Sequence, residues 1–266
     1  MTEESDAAAL SLSDALRQKT VALANGLEAT LLRHIANLPA PPTLSAATEA
    51  QIKKRVPPKA LPRLLTPERA IALLALEIED IGTRISHYQF IERYREHFNA
   101  PDQEWRAAFV THTHILRGSE IYVIMERSCE WLDFFASFAG DIGIAATKQS
   151  KALQNKFKKH FERHLRERHR IVHVHERPSL VSRMLSVPPA EMGRPEVADV
   201  FATVLGALTT MMKESLGEAA NGASPQQTFA TINDLRLRAV DKECLDMWDL
   251  FQDAINSAID LSSLLK

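Results

Sequence analysis

Between Ile71 and Ile91 the apolar residues Ile71, Leu74, Ile78, Ile81, Ile85, Tyr88 and Ile91 recur three and four apart. Such spacing gathers them on one side of a 3.6-residue helix but scatters them over both faces of a strand, so only a helix buries them together. The same period returns in Trp105, Phe109, His112 and Leu116, and again in Ile121, Ile124, Ser128, Trp131, Phe135 and Phe138. It recurs in Leu153, Phe157, Phe161 and Leu165, in Val197, Val200, Phe201, Val204, Leu208, Met211 and Met212, and in Leu245, Trp248, Phe251 and Ile255. Nowhere do apolar and polar residues alternate in the manner of a half-buried strand. The expected architecture is all-α, a bundle of about five long helices.

Punctuation divides the chain. Leu10, Leu16, Leu23, Leu27, Leu31 and Ile35 make an N-terminal helix within residues 1–38, stopped by Pro39, Pro41 and Pro42. Residues 39–66 read as a proline-rich linker, with room for a short helix around Ala46–Lys54. The body, 67–266, opens at Thr66-Pro67-Glu68, where a capping hydroxyl, a first-turn proline and an early acid coincide. Its first helix runs to about Phe98. A second starts near Asp102, with Gly118-Ser119 as a candidate interruption, and ends at Gly140. A basic helix over Ile144–Arg170 follows, closed off by Pro178. Another opens at Pro195 and stops at Gly217; the last begins at the capping box Ser224-Pro225-Gln226-Gln227, with a candidate break near Asp241.

A net charge of −2 rules out generic attraction of the whole molecule to nucleic acid or membrane, so any polyanion must meet a local patch. Cys129 and Cys244 match no metal-ligand spacing and read as buried thiols. The acidic start is unlike a signal peptide, and no run approaches the ~20 apolar residues of a bilayer span. No membrane association and a cytoplasmic location are expected.

The local patch is Lys148, Lys151, Lys156, Lys158, Lys159, Arg163, Arg166, Arg168 and Arg170, opposed only by Glu162 and Glu167, and it runs into His169, His173 and His175. A guanidinium beside an imidazole can hold a phosphate and move a proton near neutral pH. An arginine followed at short range by a histidine also occurs at Arg106–His112, Arg163–His169, Arg166–His173, Arg168–His175 and Arg170–His175, beside Arg168–His173. Context singles out Arg168-His169-Arg170-Ile171-Val172-His173: a polar residue follows the arginine, an apolar one precedes the histidine, and a helix carries both.

In that form the segment resembles the Arg-polar-x-x-x-His motif of the HEPN superfamily, a group of helical-bundle domains. The likeness covers the motif and, loosely, the bundle over 67–266. It implies a homodimer with the motifs of two copies facing each other. Many members are metal-independent endoribonucleases, several of them in toxin–antitoxin or defence systems; others are binding modules without catalysis. Carried over, Arg168 would hold the scissile phosphate, His173 would be the acid–base group and His169 the supporting polar residue, a place where Asn or Asp is more familiar. Lys156, Lys158, Lys159, Arg163, Arg166 and Arg170 would track the RNA backbone. On a regular helix Arg168 and His173 project about 140° apart. Either the helix ends between them, as the β-branched run before Pro178 suggests, or a second copy completes the site.

Two other readings use the same residues. A non-catalytic interaction or regulatory module would dock a partner, such as an antitoxin or another protein, through the basic helix. A metal site would use His160 with His164, or His169 with His173, four apart on one helix face. Lysines and arginines crowd both pairs and no ligand carboxylate or cysteine accompanies them, so no metal or other cofactor is expected. His112 reads as a hydrogen-bonded core histidine.

Overall fold

The computed structural model of the chain describes residues 2–57, 65–97, 103–173 and 225–259. Seven helices are present among them: α1 (Thr2–Ala36), α2 (Ala46–Arg55), α3 (Pro67–His97), α4 (Gln103–Asp141), α5 (Ser150–His160), α6 (Glu162–His173) and α7 (Pro225–Ala258). The one β-type pairing among the described residues is an isolated antiparallel bridge between Ala146 and Ile259. The all-helical class read from the periodicity holds. The helix placed over Pro195–Gly217 lies outside the described residues, as do Pro178 and His175.

Residues 1–87, 120–162 and 244–266 form one compact unit, and residues 88–119 and 163–243 form another. In the first unit α1 buries Leu16, Ala24, Leu27 and Leu31. Thr20 is buried among them because its hydroxyl donates to the Leu16 carbonyl at 2.7 Å, which satisfies it within its own helix. His34 Nε2 lies 2.9 Å from the Ile142 carbonyl oxygen, tying the end of α1 to the segment after α4. Ser45 caps α2 by accepting from the Thr48 amide. At the other end of α2, Arg55 pairs with Glu77 at 2.7 Å, donates to the Gln51 and Glu130 carbonyls and lies 4.7 Å over the Phe134 ring. The centre is aromatic. Trp131 stacks on Phe135 at 5.4 Å, meets Phe251 edge-on at 5.7 Å, and donates its indole N–H to the Leu74 carbonyl at 2.8 Å.

Several details differ from the sequence expectations. Gly118-Ser119 does not interrupt α4, which runs unbroken from Gln103 to Asp141; nor does α7 break near Asp241. The basic segment is two helices rather than one. Gly143 adopts φ 73°, and Ile144 donates its amide to the Ala139 carbonyl at 2.8 Å, a Schellman-type close that consumes the residues where the basic helix was expected to start. Helix α5 begins only at Ser150 and closes at Phe161, whose φ −103° and ψ 22° leave the helical region. The face Trp105–Phe109–His112–Leu116 is not core: Trp105 is 62% and Leu116 50% exposed, and His112 is exposed. Cys244 is buried but Cys129 only half-buried. Burial, then the nearby Asp133 and Glu126 charges, push the Cys129 thiol up to about 11, which keeps it protonated at neutral pH.

Candidate functional site

Helix α6, with the sequence ERHLRERHRIVH, has two sides. At ~100° per residue, Arg163, Arg166, His169, Arg170 and His173 fall within an arc of about 120°. All five are exposed. Ile171 is buried, and His164 and Arg168, on the same side as Ile171, are half-buried. The amphipathicity is therefore unusual: the outer arc is cationic, and the inner side carries a histidine and an arginine beside its isoleucine.

The motif residues separate accordingly. Arg168 is held inward. Its Nε donates to Ser119 Oγ at 3.2 Å, and its stem lies against Gly118, where an added Cβ would come 2.6 Å from Arg168 Cβ and 3.1 Å from the His164 carbonyl oxygen. Glycine at 118 thus serves close helix–helix approach, which is why it sits mid-helix in α4. His173 is on the outer arc, its ring 4.9 Å from that of His169. Because α6 is continuous through His173, the helix does not end between Arg168 and His173, contrary to the expectation from the β-branched run; the two project about 140° apart within one chain. Lys156, Lys158 and Lys159 are exposed on α5, in the first unit. Gly118→Ala is expected to cost ~1–3 kcal/mol, because neither the Arg168 stem nor the α6 backbone can retreat cheaply; urea denaturation measures it.

The inner side of α6 ends in a cluster that the sequence reading did not single out. Glu243 of α7 is its centre. Its Oε1 lies 2.9 Å from His164 Nε2 and 2.8 Å from Arg117 Nη2; its Oε2 lies 2.6 Å from the same Nη2 and accepts from the Tyr88 hydroxyl at 2.7 Å. Arg117 Nε donates to the Tyr88 oxygen at 2.7 Å, closing the ring of contacts. Burial alone would raise the Glu243 carboxyl, but the His164 hydrogen bond and the Arg117 charge outweigh it and hold the carboxyl at about 2. Burial also pushes the Tyr88 phenol well above its ordinary range, so it stays a donor. An ionised carboxylate only accepts, so His164 must donate from Nε2, and in the neutral ring Nδ1 carries the lone pair. Nearby, Arg93 forms a two-pronged pair with Asp241 at 3.1 Å on both bonds.

A signal for the cluster was present in the sequence. Arg117 stands four residues from each of the buried Thr113 and Ile121, and Glu243 lies between the buried Val240 and Met247 at helical spacing. A charge at a core position of one helix calls for an opposite charge on another. Tyr88, read only as an apolar stripe member, likewise has a hydroxyl to satisfy.

Of the two histidine pairs read as metal candidates, His160 and His164 each meet a carboxylate: His160 Nε2 lies 2.9 Å from Asp246 Oδ2, and His164 binds Glu243. Among the described residues no group of three or more metal-capable side chains occurs. Nor is any helix among them long and apolar enough to cross a membrane. Compared with protein-family models, curated proteins and solved structures, the chain matches none.

Proposed function

We propose that the chain is an RNA-binding protein of the HEPN kind that cleaves RNA without metal, using Arg168 of one copy and His173 of a second. The observation that carries this reading is the outer arc of α6, where three arginines and two histidines are exposed together. A phosphodiester backbone, a row of negative charges, suits such a cationic arc. RNA brings its own nucleophile, the 2′-hydroxyl, so the protein need only move protons and neutralise the phosphorane.

The divergence of Arg168 and His173 on one helix supports a site shared between two copies. A two-fold pair of chains presents each arginine to the other chain's histidine and makes two equivalent sites. Members of toxin–antitoxin or defence systems use this plan, and a protein antitoxin would be the regulatory partner.

The test is cleavage of a mixed-sequence RNA in EDTA at fixed ionic strength. Wild type should give fragments ending in 2′,3′-cyclic phosphate and beginning with 5′-hydroxyl. Arg168→Ala and His173→Ala should each lower the rate ~10²–10⁴-fold. Equal rates in all three proteins contradict the assignment. Binding without cleavage in all three favours the docking-module reading.

A further inference from the structure

We infer that His164 is a second proton-carrying ring of this site, serving the phosphate held by Arg168 of its own chain, with Glu243 as its positioning residue. The inference rests on the RNA reading above and adds what that reading leaves incomplete. Transesterification needs one group to take a proton from O2′ and another to give one to O5′, and His173 of a second copy can be only one of them at a time.

The geometry favours His164 for the other role. His164 and Arg168 are four apart on α6, neighbours on one side with Cβ atoms ~5–6 Å apart. Both flank Gly118, and both are half-buried. The His164 side chain is 22% exposed. Glu243 occupies Nε2, which fixes the tautomer and leaves Nδ1 as the basic nitrogen, the arrangement by which a carboxylate prepares a histidine for base catalysis.

Among the described residues, the groups facing His164 come from four helices. Glu243 is on α7, Arg117 on α4, Tyr88 on α3, and Arg168 one turn along α6. Arg117 and Tyr88 both bind the carboxylate. Glu243 is therefore kept as an oriented acceptor and does not compete for the substrate's proton.

The step balances without a co-reactant. His164 Nδ1 takes the 2′-hydroxyl proton as the O2′–P bond forms. The P–O5′ bond breaks, and O5′ takes a proton from His173 of the second copy. A 2′,3′-cyclic phosphodiester and a 5′-hydroxyl result.

Two measurements on the full chain test this. In the first, the His164 ring is followed by NMR across pH, with and without a 2′-O-methyl RNA oligonucleotide that binds but cannot react. The expected result is an upward shift of its titration midpoint on binding, lost in Arg168→Ala. In the second, His164→Gln, which keeps a donor for Glu243, should lower kcat at least ~10²-fold with KM little changed, and should abolish the rising limb of the pH–rate profile. Glu243→Gln should displace that limb without abolishing it.

If RNA binds and is cleaved while the His164 resonance stays still and His164→Gln keeps the wild-type rate and profile, the inference is overturned and the RNA reading stands. If the oligonucleotide moves no resonance and RNA is not cleaved, both fall. Should His164→Gln fail to fold, the wild-type NMR titration decides alone.

Discussion

Glu243→Ala is expected to destabilise the protein by ~3–5 kcal/mol. The magnitude comes from what is left behind. Arg117 and Glu243 have side chains only 12% and 15% exposed, so removal of the carboxylate takes the ion pair from a guanidinium held largely out of water and the acceptor from the Tyr88 hydroxyl and the His164 ring. Tyr88 retains its contact with Arg117, but that contact supplies a donor and no acceptor. Chemical denaturation at neutral pH measures the loss; a change below ~1 kcal/mol would mean the cluster contributes little.

The same carboxylate gives the protein an acid limb. Its folded-state pKa of about 2 lies below the ordinary 4.5, so its stabilisation is complete above pH 4.5 and is lost as pH falls from there toward 2. The integrated contribution is ~3 kcal/mol. In Glu243→Gln that part of the acid dependence should flatten.

Trp131→Ala in the first unit is expected to cost a similar ~3–5 kcal/mol by a different route. Trp131 is fully buried, stacked on Phe135 and edge-on to Phe251. Truncation opens a cavity that rings cannot collapse into, and it also removes the second hydrogen bond to the Leu74 carbonyl, which keeps its place in the α3 ladder. Trp131→Phe should recover most of the packing and lose only the hydrogen bond, ~1 kcal/mol. Parity between the alanine and phenylalanine variants would show that volume does not set the cost.

These two sites show what the sequence made legible. Trp131 lies in a stripe spaced three and four apart, and such spacing is enough to place a residue in a helical core. Helix positions that rest on local chemistry were equally readable: the short helix placed around Ala46–Lys54 spans Ala46–Arg55, and Pro67 stands at the first position of α3. Gly118 was misread because a glycine that ends a helix and one that admits a neighbouring helix look the same until the neighbour is known. The exposed Trp105–Leu116 face was misread for a related reason, since periodicity reports amphipathicity and not what covers it.

The candidate site divides along the same line. The basic outer arc of α6 follows from composition and helical period alone. The Glu243 cluster depends on residues more than a hundred positions apart, Tyr88 with Glu243 and Arg117 with Glu243, meeting across separate helices. No local pattern registers such a meeting. Only the rule that buried charges need partners pointed toward it, and that rule names a need without naming the partner.

In the proposed site Arg168 of one chain works with His173 of another. This pairing is tested most directly by mixing Arg168→Ala with His173→Ala after each has been shown inactive alone. With free exchange of subunits, about half of the dimers are mixed and each carries one intact site, so cleavage should return to ~25% of wild type. No recovery from a mixture whose subunits demonstrably exchange would contradict the composite site.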